Sequence, residues 1–273
     1  MNILKYMKIY DCTTYCGEDL LLDLRLNVLD KDVDFFIICE LAKFHSGKPK
    51  EKRFDIKNFE NFKHKIRYFY IDQIPEHDGD NWKYENFQRN ETKRGLYDAE
   101  NEDIIIVSDV DEIPNLKNKN FLKYDSCVFL QNFYYYKLNI LCYDGLKWEK
   151  KWPGSKCIKF KYFENSQKVR ELRVKKIPIW RIDKKINRKI IKNGGWHFSY
   201  LMTPEKIQEK IENFAHSEFK NFSKIEHIKK MIESKQDIFS RNDLKFKTVP
   251  IDETYPDYIC NNLEIYKKWI DQK

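Results

Sequence analysis

The string Asp103-Ile104-Ile105-Ile106-Val107-Ser108-Asp109-Val110-Asp111-Glu112-Ile113-Pro114 constrains this chain more than any other. Its first half is almost unbroken aliphatic side chain. Such a run suits a strand buried on both faces, the condition of a parallel sheet covered by helices on each side. Its second half puts two carboxylates two residues apart. If the strand continues through them, residues i and i+2 project from one face. Both then emerge at the carboxyl end of a buried strand, where open α/β sheets place ligands. Two converging carboxylates favour a hard cation such as Mg²⁺ or Mn²⁺. A cation there can neutralise a diphosphate leaving group. The bland alternative is a polar strand end before a Pro turn.

The flanking segments repeat the alternation. Met7 to Tyr10 is a short strand candidate, and Glu18 to Leu29 carries Leu20, Leu21, Leu24 and Val28 at helical spacing. Val33 to Cys39 and Ile66 to Ile71 read as strands, Asp80 to Tyr97 as a helix. Strands alternating with helices predict an α/β fold with a mainly parallel central sheet. After Pro114 the pattern changes. Cys127 to Leu138 is aromatic and β-rich, and strand-like pieces recur at Cys157 to Tyr162 and Ile177 to Ile182. Trp152-Pro153-Gly154-Ser155 between them reads as a turn. Thr203-Pro204-Glu205 opens a helix, with Thr as N-cap, Pro at the first helical position and Ile207, Ile211 and Phe214 as its apolar stripe. Ser223 and Glu226 form a capping-box pattern for a last helix through Ile228, Met231 and Ile232.

Composition narrows the class. With 273 residues, 41% hydrophobic, 17 Tyr and 19 Phe, the chain can build a sizeable core. The net charge of +8 comes from 51 basic and 43 acidic residues. No Lys/Arg block resembles a nucleic-acid arm, so no nucleic-acid partner is expected. The seven Cys are odd in number and lack a CxxC pair, which fits buried free thiols in a reducing compartment. No signal peptide is visible, and no apolar run approaches about 18 residues. The expected protein is soluble and cytoplasmic, with membrane contact at most peripheral.

Three further clusters bear chemistry. Gly194-Gly195-Trp196-His197 sets a His among aromatics, as a metal ligand, a base or a buried core His. His216 and Glu218 end the Thr203 helix and face either a cleft or solvent. Glu85 and Arg89 are spaced to pair on a helix surface, although Arg89 could instead grip a phosphate or ribose.

In order along the chain, these strings resemble glycosyltransferase family 17. The resemblance runs from about Asp11 to about Tyr258. It begins with the acidic, Leu-rich Glu18 to Leu26 segment containing Arg25. It continues through Val33 to Glu40, the Phe44 to Lys50 loop, Asp109 to Pro114 and Pro153-Gly154-Ser155. Gly195-Trp196-His197-x-Ser199 and the Thr203 helix complete it. The resemblance implies a glycosyltransferase-A fold, Rossmann-like with C-terminal helices. It implies a single catalytic domain with a nucleotide-binding half (1–114) and an acceptor-side half (115–273). It implies inverting transfer of N-acetylglucosamine from a UDP-sugar to a glycan or glycolipid acceptor. Asp109 and Asp111 would hold Mn²⁺ (or Mg²⁺) and the donor's diphosphate and ribose, with His197 completing the metal shell. Arg89, Glu40, Arg25 and Gly154 would belong to the donor-binding surface.

Inversion needs a base on the acceptor side, away from the metal carboxylates. Glu218 is the candidate, with its pKa raised by Phe214 and Phe219, and His216 is the runner-up. Asp111→Asn is expected to abolish activity and leave the fold nearly unchanged. Two other classes fit parts of the sequence: a haloacid-dehalogenase-like phosphatase, which also places Asp-x-Asp after an apolar strand, and a non-catalytic glycan-binding protein.

Overall fold

The aliphatic runs form the middle of one sheet. A computed structural model describes residues 7–143, 149–174 and 186–272. The strands are β1 (Ile9–Thr14), β2 (Phe35–Leu41), β3 (Ile66–Ile71), β4 (Ile104–Asp109), β5 (Glu112–Pro114), β6 (Ser126–Tyr135), β7 (Ile140–Tyr143), β8 (Lys151–Lys159), β9 (Arg188–Ile191), β10 (Gly195–Ser199) and β11 (Lys245–Thr248). Their order is β11-β7-β6-β8-β4-β1-β2-β3, with β9 and β10 also paired to β6, and β5 to β10. The first four strands are parallel, and Cys12 of β1 lies between Val107 and Ile37.

Burial on both faces explains why β2 and β4 are continuously apolar. Tyr10, Cys12, Ile37, Ile105 and Val107 pack with Leu96 and Val169 on one face. Ile9, Phe36, Ile38, Ile104 and Ile106 pack on the other, against Leu21, Leu24 and Leu26 of α1 (Asp19–Leu29). A parallel pair needs a crossover connection, and α1 supplies the one between β1 and β2.

The changed pattern after Pro114 is a change of pairing. β8 runs antiparallel to β4 and to β6, whereas β9 and β10 run parallel to β6. The remaining helices are α2 (Asn81–Glu91), α3 (Ser166–Arg170), α4 (Pro204–Asn213), α5 (Ile225–Glu233) and α6 (Asp257–Asn261). Ile207 and Ile211 of α4 and Ile228 and Met231 of α5 cover Phe133, Tyr135 and Tyr200 in a second core.

Several boundaries differ from expectation. Trp152 to Ser155 is not a turn but part of β8. The β6–β8 register shifts between Val128 and Leu130, and Pro153 pairs with Leu130 beside that irregularity, where a sheet tolerates Pro. α5 begins after Lys224 with no side-chain cap, so Ser223 does not cap it. The Asp80 to Tyr97 helix is α2 followed by a 3₁₀ turn over Thr92–Leu96. Thr203 caps α4 as expected, its side chain accepting from the Lys206 amide. The strand expected at Ile177 to Ile182 lies outside the described residues. All seven cysteines are free thiols, five of them buried.

Candidate functional site

β4 stops at Asp109, and the chain turns over Val110 and Asp111 before β5 begins. Asp109 therefore ends the strand and Asp111 sits in the turn, rather than both lying on one continuing strand as expected. Arg25 of α1 is the physical reason. Its side chain is fully buried, and its guanidinium makes five contacts. Nε and Nη2 donate to the Asp11 carboxylate at 2.7 and 2.6 Å, and Nη2 also to Ser108 Oγ at 2.5 Å. Nη1 donates to the carbonyls of Asp109 and Glu112 at 3.3 and 2.7 Å. The five N–H groups of the fork thus join β1 and β4 to the carbonyls on either side of the turn.

Three cations converge on the carboxylates. Asp109 accepts from Arg89 Nη2 at 3.2 Å and from Arg170 Nη2 at 3.1 Å. Arg170 also reaches both oxygens of buried Glu112, at 2.5 and 3.1 Å, and the Gly154 carbonyl at 2.8 Å. Asp111 faces Lys210 Nζ at 3.4 Å and His197 Nε2 at 3.6 Å. Burial pushes the Asp109 carboxyl up, but Arg170 and Arg89 outweigh it and hold the group well below the usual carboxylate range. Burial likewise opposes ionisation of Asp111, and Lys210 and His197 overcome it, bringing the pKa to about 2.

His197 is clamped between rings. Phe133 stacks on it at 4.8 Å with an interplanar angle of 6°, and Trp152 lies 4.8 Å away. The Trp152 indole N–H donates to Glu112 Oε1 at 2.7 Å. Nδ1 of His197 is buried without a hydrogen-bond partner among the described residues. Asp111 and His197 could between them supply two ligands to a divalent ion. Their facing atoms, 3.6 Å apart, are near the roughly 3 Å between adjacent ligands of an octahedral ion with bonds of about 2.1 Å. Asp109 is turned to the two arginines instead. No group of three or more His, Cys, Asp or Glu that could hold a metal occurs among the described residues. The remaining ligands would be water and a bound molecule.

Lys210 links this centre to a cleft of about 200 Å³. The cleft lies between Tyr15 to Leu21, following β1, the β2 end at Leu41, and α4. Lys43, Lys50, Arg53, Lys206 and Lys210 line it, with Glu18, Asp19 and Glu209. Glu209 and Arg53 form a bidentate pair at 2.6 and 2.7 Å across it.

The expected site residues divide. Asp109, Asp111, His197 and Arg89 come together. Arg89 also keeps its bond to Glu85, at 2.6 Å, but does so buried rather than on the surface. Arg25 and Glu40 are corrections, because both are fully buried and present no surface to a donor. Glu40 pairs with Lys50 and accepts from the amides of Arg53 and Phe54 and from Tyr68 Oη, so it fixes the loop that lines the cleft. Gly154 stands behind Arg170, where a Cβ would lie 2.0 Å from Gln131 Oε1. Glu218 and His216 bond to each other at 2.8 Å. Neither lines the cleft, although His216 packs 5.4 Å from Phe214, which does. Glu218 is exposed, and the hydrogen bond from His216 lowers its pKa, the reverse of the expected rise.

Sequence reading missed Arg170, Lys210 and Trp152. Arg170 sits in a charged stretch without periodicity, so nothing local marks its partner. Lys210 offered a fainter sign: it stands beside Ile211 at the edge of the apolar stripe of α4.

The profile of glycosyltransferase family 17 matches residues 2–260. The human β-1,4-mannosyl-glycoprotein 4-β-N-acetylglucosaminyltransferase is 27% identical over 227 residues, covering 73% of this chain and 42% of that protein. The rat protein of the same name is also 27% identical over 227 residues, covering 73% of this chain and 41% of its own length. The chain thus spans about two fifths of the length of these relatives.

Proposed function

Because this chain belongs to glycosyltransferase family 17, we propose that it transfers a sugar from a UDP-sugar to a glycan or glycolipid acceptor. The transfer inverts the anomeric carbon and depends on Mn²⁺ or Mg²⁺. N-acetylglucosamine is the proposed sugar, because the relatives are named for its transfer. The observation that carries the reading is the meeting of Asp109 and Asp111 with Arg89, Arg170 and Lys210 at the end of β4, beside a cleft lined with lysines. The parallel β3-β2-β1-β4 order with carboxylates at the end of β4 supports a glycosyltransferase-A fold.

In this reading Asp111 and His197 hold the ion, which when bound neutralises charge on the departing diphosphate. Arg89 and Arg170 fix Asp109 for contact with the donor. Lys43, Lys206 and Lys210 add positive charge along the cleft. Glu218 stays the proposed base for the acceptor hydroxyl on its acceptor-side place alone, since it lies outside the cleft lining and its bond to His216 lowers rather than raises its pKa. Exposed Trp82, edge-on to His216 at 4.5 Å, supports an acceptor sugar stacking there. The phosphatase alternative needs a free aspartate nucleophile, whereas Asp109 is held by two arginines.

A thermal-shift panel of nucleotide sugars with Mn²⁺ tests the reading. UDP-sugars should raise the Tm only when the ion is present. Stabilisation by GDP-sugars with none by UDP-sugars would reject the donor. Glu218→Gln should keep UDP-sugar affinity and lower transfer by roughly 10²-fold. Transfer within a few-fold of the parent would remove Glu218 as the base.

A further inference from the structure

Lys210 is the residue that belongs to both the cleft and the carboxylate centre. Its ammonium lies 3.4 Å from Asp111 Oδ2 and 5.5 Å from the centre of the Tyr200 ring, and its side chain lines the cleft. The contact to Asp111 is long for a charge-assisted hydrogen bond, which is usually about 2.8 Å. Its side chain keeps 28% exposure while that of Asp111 keeps 8%. Arg89 and Arg170, the other cations of the centre, do not line the cleft.

On the proposed assignment of the donor and ion, we propose that Lys210 is a shuttle residue. With the cleft empty, its ammonium serves Asp111 as counter-ion. When a divalent ion takes Asp111, the ammonium turns to the donor's diphosphate in the cleft. Two cations cannot share the buried Asp111 carboxylate without repulsion, and a diphosphate gives the displaced ammonium a new partner. Lysine suits the exchange because it is a point charge on a flexible stem, unlike the forked arginines that hold Asp109. Ion and diphosphate therefore bind with positive coupling, and by linkage each tightens the other by the same factor.

The test is binding, read without turnover. Mn²⁺ affinity is measured by electron paramagnetic resonance with and without UDP. UDP and uridine affinities are measured by calorimetry with Mn²⁺ present. In the parent, UDP should tighten Mn²⁺ roughly tenfold. Lys210→Met should bind Mn²⁺ more tightly than the parent when no nucleotide is present, while its preference for UDP over uridine falls roughly tenfold. Lys210→Arg, which keeps the charge, should retain most of that preference. Circular dichroism and Tm verify folding, and Lys210→Gln replaces the Met variant if that one is unfolded. An unchanged Mn²⁺ affinity in the nucleotide-free variant, or an unchanged UDP preference, overturns the shuttle and leaves the donor assignment standing. A parent that binds neither Mn²⁺ nor UDP overturns both.

Discussion

Arg25 shows how one side chain can brace a site from behind, fully buried between its elements. Its partners Asp11, Ser108, Asp109 and Glu112 lie on β1, β4 and β5, so it ties helix, strands and turn together. Removing one member of a buried ion pair leaves an uncompensated charge and typically costs about 3–5 kcal/mol. Arg25→Met should lose that much in urea unfolding, and a loss below about 1 kcal/mol would contradict the role assigned. Asp111→Asn should cost some stability, because Lys210 and His197 lose the carboxylate they hold ionised, although both contacts are long. Asp109→Asn should cost more, because two arginines lose their partner. The pH dependence follows from the depressed carboxyls. A carboxylate whose folded pKa is lowered stabilises the fold above its ordinary value near 3.9 and stops doing so as pH falls through the folded value. For Asp111 that value is about 2. The parent's Tm should therefore drop as pH falls from about 4 to about 2, and Asp109→Asn should show a shallower drop. Parallel curves would contradict this. Asp109 and Asp111 were legible because an aliphatic strand ends in them. Arg170 was not, since an ion pair between α3 and β4 depends on which strands become neighbours.

At the scale of elements, periodicity and caps were informative where a single element explains its own pattern. α4 shows this, with Thr203 capping, Pro204 next and Ile207 and Ile211 buried. They misled where a second strand decided the outcome. Trp152-Pro153-Gly154-Ser155 has the composition of a turn, yet β6 recruits it into β8 through an irregular register. There Gly154 serves packing, because a Cβ would press 2.0 Å from Gln131 Oε1 and 2.8 Å from Trp152 Cδ1. Overpacking of this kind costs about 1–3 kcal/mol. Gly154→Ala should destabilise by that amount, and adding Gln131→Ala should recover part of it in a double-mutant cycle. Strict additivity of the two losses would place the strain elsewhere.

For the whole molecule, the sheet explains the position of the site. The parallel strands β1, β2 and β4 send their carboxyl ends toward one edge, where the following loops and α4 enclose the cleft. β8 and α3 bring Trp152, Gly154 and Arg170 to the same edge from the other half of the sheet. The α/β class was readable from alternating aliphatic runs. The mixed pairing beyond β4 was not, because β6 and β8 carry neither an unbroken aliphatic run nor a clean alternation, and their neighbours are set at long range. No helix among the described residues is long and apolar enough to cross a membrane. On the proposed function, this edge binds a UDP-sugar through a divalent ion at Asp111 and activates it for transfer. UDP released from UDP-N-acetylglucosamine, in the presence of Mn²⁺ and a glycan acceptor, tests it most directly in the parent and in Asp111→Asn. The parent should release UDP, EDTA should abolish that release, and Asp111→Asn should lower it by at least about 10²-fold. Undiminished release in EDTA or in Asp111→Asn would contradict the proposed function.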